Sequence, residues 1–114
     1  EVGRPRFRPD GGQVVVPYRM TLLVWDGTRP GRPALVRNPG RRTLTGAAYH
    51  PSGRYLFTTG LDATVTVWDT ETWAQVRRFE WPVGPLRCVA VSTDGSVAAA
   101  GSESGRVVVW DVDV

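Results

Sequence analysis

The 114 residues carry 14 basic side chains, every one an arginine, against 11 acids, with 41% apolar residues, 22% charged residues and a single cysteine. This balance excludes a highly charged disordered chain, the lone Cys88 excludes an intrachain disulfide, and no run of about 18 apolar residues is present to form a membrane-spanning helix. The charge is uneven: residues 1–42 hold nine arginines against Glu1, Asp10 and Asp26, a net +6, and residues 43–114 hold five arginines against eight acids, a net −3.

Two short patterns recur along the chain. The first is a turn: PDG at Pro9 to Gly11, PSG at Pro51 to Gly53 and TDG at Thr93 to Gly95, with glycines 42 and 42 residues apart. Phe7, Tyr49 and Val91 precede these turns on the same beat. The second ends in Trp-Asp: LLVWD at Leu22 to Asp26, TVTVWD at Thr64 to Asp69 and VVVWD at Val107 to Asp111, with tryptophans at steps of 43 and 42. In TVTVWD an extended chain points Thr64, Thr66 and Trp68 one way and Val65 and Val67 the other, so alternation and β-branching predict a strand.

A period near 42 with a Trp-Asp ending resembles the WD-repeat β-propeller family, and the resemblance covers nearly the whole chain. It implies an all-β fold of three consecutive four-stranded antiparallel blades, the last lacking its outer strand, in an open partial propeller. Blade 1 would occupy about 1–38, blade 2 about 39–81 and blade 3 about 82–114. Counted outward from the propeller axis, the strands of the first repeat fall near 4–8, at 13–16 ending at Pro17, at 21–25 and at 34–36. The loop DGTRPGR separates the last two. The second repeat places strands at 44–49, 55–59, 64–68 and 75–80. The third places them at 86–92, 96–100 and 106–110, and only four residues follow Trp110. The apolar stretches LRCVAVS and VAAAG read as strands buried on both faces. Gly11 and Trp25 are 14 apart where Gly53–Trp68 and Gly95–Trp110 are 15, so the connection between second and third strands is one residue shorter in the first repeat. No stretch has a 3.6-residue apolar period, so little or no helix is expected.

The repeat residues Trp25, Asp26, Trp68, Asp69, Trp110, Asp111, Asp62, Gly11, Gly53 and Gly95 read as structural. In the family, a Gly-His pair before the innermost strand, a hydroxyl on the second strand, an Asp in the following turn and the tryptophan form one hydrogen-bonded network. Here Trp81-Pro82 replaces Gly-His before the third repeat, no histidine lies near Pro39-Gly40, and Ser104 stands where repeat 2 has Asp62. The resemblance therefore implies only local bonds for Asp62 and Trp68, with Thr58 or Thr59 supplying a hydroxyl.

His50, the only histidine, has no cysteine pair or carboxylate cluster beside it and makes a poor metal site. Cys88, between Leu86 and Ala90, reads as a small buried hydrophobe with no base near it in sequence. No GxSxG, P-loop or paired-carboxylate pattern is present, and no cofactor or metal is expected. Trp73 reads as folded over a neighbouring blade. Trp81 fits that role and that of an exposed partner anchor equally. The family docks partners on the face that carries the loops before the innermost strands and the turns between second and third strands. The candidates there are Tyr18, Arg19, Arg41, Arg42, Leu61, Trp81, Val83 and Glu103.

The resemblance points to a protein–protein interaction scaffold of WD-repeat type that is not an enzyme, working in the cytoplasm on protein partners whose identity the sequence does not give. Its alternative is a sensing or regulatory propeller segment of a larger bacterial enzyme such as a protein kinase. The lysine-free composition and the absence of an initiator methionine fit an excerpt of such a chain. The basic first 42 residues raise nucleic acid as a partner, but no aromatic stacking series interleaves with the arginines, and nothing points to a membrane. Three blades do not close a ring of the usual 4–8. The third repeat's last strand is then an unpaired edge that further blades, in the same chain or another subunit, would cover. The 114 residues alone are expected to oligomerise or aggregate.

Overall fold

The computed structural model describes residues 2–27, 31–38 and 42–113. Among them are eleven strands in three antiparallel sheets and no helix. β1 (Arg6–Phe7), β2 (Gln13–Tyr18), β3 (Thr21–Asp26) and β4 (Ala34–Arg37) form the first sheet in that order. β5 (Leu44–Tyr49), β6 (Tyr55–Gly60), β7 (Thr64–Asp69) and β8 (Gln75–Glu80) form the second. β9 (Leu86–Val91), β10 (Val97–Ser102) and β11 (Val107–Asp111) form the third, which has three strands. The sheets are blades, and the interfaces between them run mainly through the inner strands β1, β5 and β9 and their neighbours β2 and β6.

The turns explain why the chain doubles back where it does. Gly11, Gly53 and Gly95 hold φ of 73°, 76° and 77°, and their amides donate to the carbonyls of Arg8, His50 and Ser92. A side chain at such a φ is strained, so glycine recurs at this point of every repeat.

Most strands match the sequence reading to within a residue or two; the innermost strand of blade 1 does not. The expected strand near 4–8 is reduced to β1, two residues long, plus an isolated bridge between Val2 and Tyr18. Pro5 has no N–H to give a ladder, and Pro17 lies inside β2 rather than ending it. The Pro17 carbonyl is met by the Gly3 amide at 2.7 Å. Pro17 therefore turns its donor-less nitrogen toward the side where the ladder to β1 is already broken.

The core lies between the blades as two clusters. Val15, Leu22 and Val24 of blade 1 meet Leu44, Ala47, Leu56 and Trp68 of blade 2. Phe57, Val65 and Val67 on the other side of blade 2 meet Leu86, Val89, Ala98 and Ala100 of blade 3. Blade 2 is thus covered on both faces, and in β7 every residue from Thr64 to Trp68 is buried.

Blade 3 corrects the expectation of strands buried on both faces. In β9 only Leu86 and Val89 are buried, while Arg87, Cys88 and Ala90 are exposed. Cys88, read as a buried hydrophobe, is an exposed thiol. The apolar residues were identified correctly, but among the described residues no blade lies on that face. Val107 and Val109 of β11 stand 68% and 64% exposed there, and β11 pairs only with β10.

Candidate interaction surface

Hydrogen bonds to main-chain carbonyls tie down the loops at one end of the blades, which form a rim. The Arg19 carbonyl in the β2–β3 turn accepts the Leu44 amide at 2.7 Å, tying blade 1 to the start of blade 2. The Thr43 carbonyl accepts Leu61 N–H from the β6–β7 turn at 3.1 Å. The Pro85 carbonyl accepts Glu103 N–H from the β10–β11 turn at 2.9 Å, and Ser104 Oγ donates to the Val83 carbonyl at 3.1 Å. Tyr18, Arg19, Arg42, Leu61, Val83 and Glu103 belong to or flank these loops. Arg41 lies outside the described residues.

The shorter first connection has a local consequence. Tyr18 and Thr21 pair directly, leaving Arg19 and Met20 as a two-residue turn with Arg19 at φ 55°. That position of a tight hairpin ordinarily falls to glycine. Arg19 holds it with its guanidinium carbon 5.3 Å from the centre of the Tyr18 ring, a cation–π distance. A charged, left-handed residue is thereby fixed at the lip of the rim.

Trp81 resolves toward the folded-over alternative. Its ring stacks on Phe79 at 5.5 Å and 7° and lies 4.9 Å from Trp110, and Trp110 also meets Phe57 and Phe79. This aromatic cluster joins blade 2 to blade 3. Trp73, at φ 59°, packs partly buried against the cluster between blades 1 and 2.

The three repeat tryptophans have different partners because the residue at the place of Thr58 on the neighbouring strand differs. Trp68, 2% exposed, donates Nε1–H to Thr58 Oγ1 at 2.9 Å. Val16 and Ala100 stand at the corresponding places in the other blades. Trp25 instead donates to the Gly31 carbonyl at 3.1 Å, and Trp110 joins the aromatic cluster. Asp62 accepts from Thr64 Oγ1 at 2.6 Å and makes no bond to Trp68, so both keep local bonds. Asp69 caps the β7–β8 turn through the Glu71 and Thr72 amides, and Arg54 beside it holds its carboxyl below the usual range.

A feature absent from the sequence reading lies along the inner strands. Arg4, Arg6 and Arg87 line a cleft of about 550 Å³ with Val2, Gly3, Thr45, Gly46, Ala47, Cys88 and Val89. A second cleft of about 220 Å³ shares Val2, Gly3, Thr45 and Arg87 and continues to Thr43 and Leu44 at the rim. Gly46 allows this geometry: a Cβ there would come within 3.3 Å of the β9 backbone at Arg87 and Cys88. Thr45 Oγ1 closes the junction by donating to the Leu86 carbonyl at 2.7 Å. The available signal was the alternation Arg4, Arg6, Arg8 at the start of the chain, with Arg87 at the matching end of the third repeat's inner strand.

His50 serves the opposite end of the blades. Its Nδ1 accepts the Ser52 amide at 3.1 Å, which leaves Nε2–H to face the Gly95 carbonyl of blade 3 at 3.3 Å. Among the described residues no group of three or more His, Cys, Asp or Glu is placed to hold a metal ion.

Repeats that fold as antiparallel blades, two of four strands and one of three, with their inner strands adjacent, define blades of a β-propeller of the WD type. The family model for the WD domain, G-beta repeat, matches residues 37–69 and 73–111, well over half of the chain, and the protein belongs to that family. Among its relatives, the human serine-threonine kinase receptor-associated protein is 31% identical over 113 residues, covering 99% of this chain and 32% of that protein. Pre-mRNA-processing factor 19 of Oryza sativa subsp. japonica is 36% identical over 73 residues, 64% of this chain and 14% of that protein. The mouse target of rapamycin complex subunit LST8 is 26% identical over 114 residues, 98% of this chain and 35% of that protein. The chain spans about a third or less of the length of these curated relatives.

Proposed function

We propose that this chain is a protein-interaction module, without catalytic chemistry of its own, that receives a protein partner across the rim formed by Tyr18, Arg19, Arg42, Leu61, Val83 and Glu103. The observation that carries this reading is the rim itself. Its loops are each held by hydrogen bonds to the blades that carry them, the arrangement by which loops present binding residues. Two relatives support it by name, one associated with a receptor kinase and one a subunit of a complex. The relatives do not favour the other reading, a regulatory segment of a larger enzyme. Arg41 belongs to the same proposed surface on sequence grounds. Trp81 contributes by bracing the Val83 loop against blade 3.

The test is a partner identified by affinity purification of the full chain and then titrated as a pure protein. Arg19→Glu combined with Arg42→Glu should weaken binding about tenfold or more, as loss of interface arginines does. Unchanged affinity would remove the rim as the docking face.

A further inference from the structure

We infer that the cleft along the inner strands is a binding site for an acidic, extended peptide segment of a protein partner, held by Arg4, Arg6 and Arg87. The inference rests on the interaction reading above and names the chemistry of what enters from the rim. Three arginines from two blades line one cleft, and no acid is among its described lining residues.

Each arginine has donors to spare. A guanidinium offers five N–H groups. Arg6 uses Nε on the Ala47 carbonyl at 3.1 Å, which fixes its side chain over β5 and leaves its terminal nitrogens for a ligand. Arg87 uses Nε and one terminal nitrogen on Glu103, leaving the other. Arg4 makes no side-chain hydrogen bond among the described residues and is exposed. Fork-shaped donors of this kind match carboxylates in pairs.

The rest of the lining selects a slender occupant. The other lining residues, among them Gly3, Gly46, Ala47 and Cys88, are small and include no aromatic ring. Nucleic-acid sites of comparable charge carry aromatic platforms for the bases, so a peptide fits this lining and a single-stranded oligonucleotide does not. The cleft opens toward Thr43 and Leu44 at the rim, so a partner seated there could feed an acidic tail inward without leaving the proposed docking face.

The experiment uses the full chain and fluorescence anisotropy with a labelled peptide of repeated Glu-Gly units. A Lys-Gly peptide and a single-stranded oligonucleotide of equal charge serve as comparisons. The parent should bind the Glu-Gly peptide, lose that binding steeply with added salt, and ignore the Lys-Gly peptide. Arg4→Ala with Arg87→Ala should weaken the acidic peptide about tenfold, the product of two exposed charge pairs. Arg106→Ala, outside the cleft, should change it by less than about twofold. Arg4→Ala alone, at a residue whose side chain makes no hydrogen bond among the described residues, should still weaken it severalfold if the double variant unfolds. Three results would each overturn the inference: no binding of the acidic peptide, equal loss in Arg106→Ala, or oligonucleotide binding with the same dependence on Arg4 and Arg87. Arg19→Glu with Arg42→Glu separates the two proposals, since it should weaken partner docking at the rim about tenfold or more and leave peptide binding within about twofold.

Discussion

Tyr49 of blade 2 reaches into blade 1, where its hydroxyl donates to Gln13 Oε1 at 2.7 Å. Gln13, itself buried, turns its Nε2 toward the Thr70 carbonyl at 3.4 Å, so one phenol and one amide bridge two blades. Burial pushes the Tyr49 hydroxyl well above its ordinary value, against a smaller opposing effect of Arg8. A raised value means the fold favours the neutral phenol. That stabilisation is complete below about pH 10, the unfolded value, and is lost as pH rises through the folded value. Tyr49→Phe should cost about 0.5–1.5 kcal/mol at neutral pH by leaving Gln13 short of a partner. It should also flatten the alkaline fall in stability, as read by denaturant melts between neutral pH and about pH 11. An alkaline limb as steep in the variant as in the parent would overturn this.

Trp68 and Thr58 form the buried polar contact at the centre of blade 2. Removing either side leaves the other without a partner in a dry site. Trp68→Phe and Thr58→Val should each destabilise by about 1–3 kcal/mol. The double variant should cost less than the sum, with a coupling of about 0.5 kcal/mol or more. Strict additivity in chemical denaturation would mean the bond contributes nothing.

Ala63 sits at φ 67° in the β6–β7 turn, where blade 3 has Gly105 at φ 86°. The left-handed region disfavours any Cβ. Ala63→Gly should therefore stabilise the chain by about 0.5–1 kcal/mol, the reverse of the usual penalty for glycine. A lowered denaturant midpoint would contradict the strain argument.

Asp94 shows the opposite titration to Tyr49. The Ser96 amide, the Ser96 hydroxyl and the Ser92 hydroxyl all donate to its carboxylate and hold its pKa down to about 2. A depressed value gives stability that is complete above the unfolded value near 3.8 and is lost as pH falls through about 2. The melting temperature of the parent should drop more than that of Asp94→Asn between pH 4 and pH 2. Parallel acid curves would show that the β9–β10 turn draws nothing from the charge.

Strand positions and turns were legible in the sequence because both are set locally. Alternation fixes which residues of TVTVWD share a face, and Gly53 marks the turn whatever the blade packs against. Burial on β9 was not legible, because LRCVAV reads alike with a neighbouring sheet on one face or on two. The side taken by Trp81 depends on Trp110, 29 residues later, arriving at stacking distance. The arginine cleft depends on Arg6 and Arg87, 81 residues apart, coming to line one cleft beside Gly46, in a chain where each arginine alone looks like solvated surface. The repeat assigns loops to ends of the blades, but the left-handed turn at Arg19 was not legible in it.

The Trp81–Trp110 pair also makes the molecule report on itself optically. The two indoles lie 4.9 Å apart at 43°, close enough and skewed enough for their transitions to couple. Trp110 belongs to blade 3, whereas Trp81 follows the last strand of blade 2, so that coupling exists only while the two blades are docked. An exciton band in circular dichroism would follow separation of blades 2 and 3, while the amide signal follows loss of the strands. The order in which the two fade on heating would distinguish a chain that opens like a fan from one that melts at a single step.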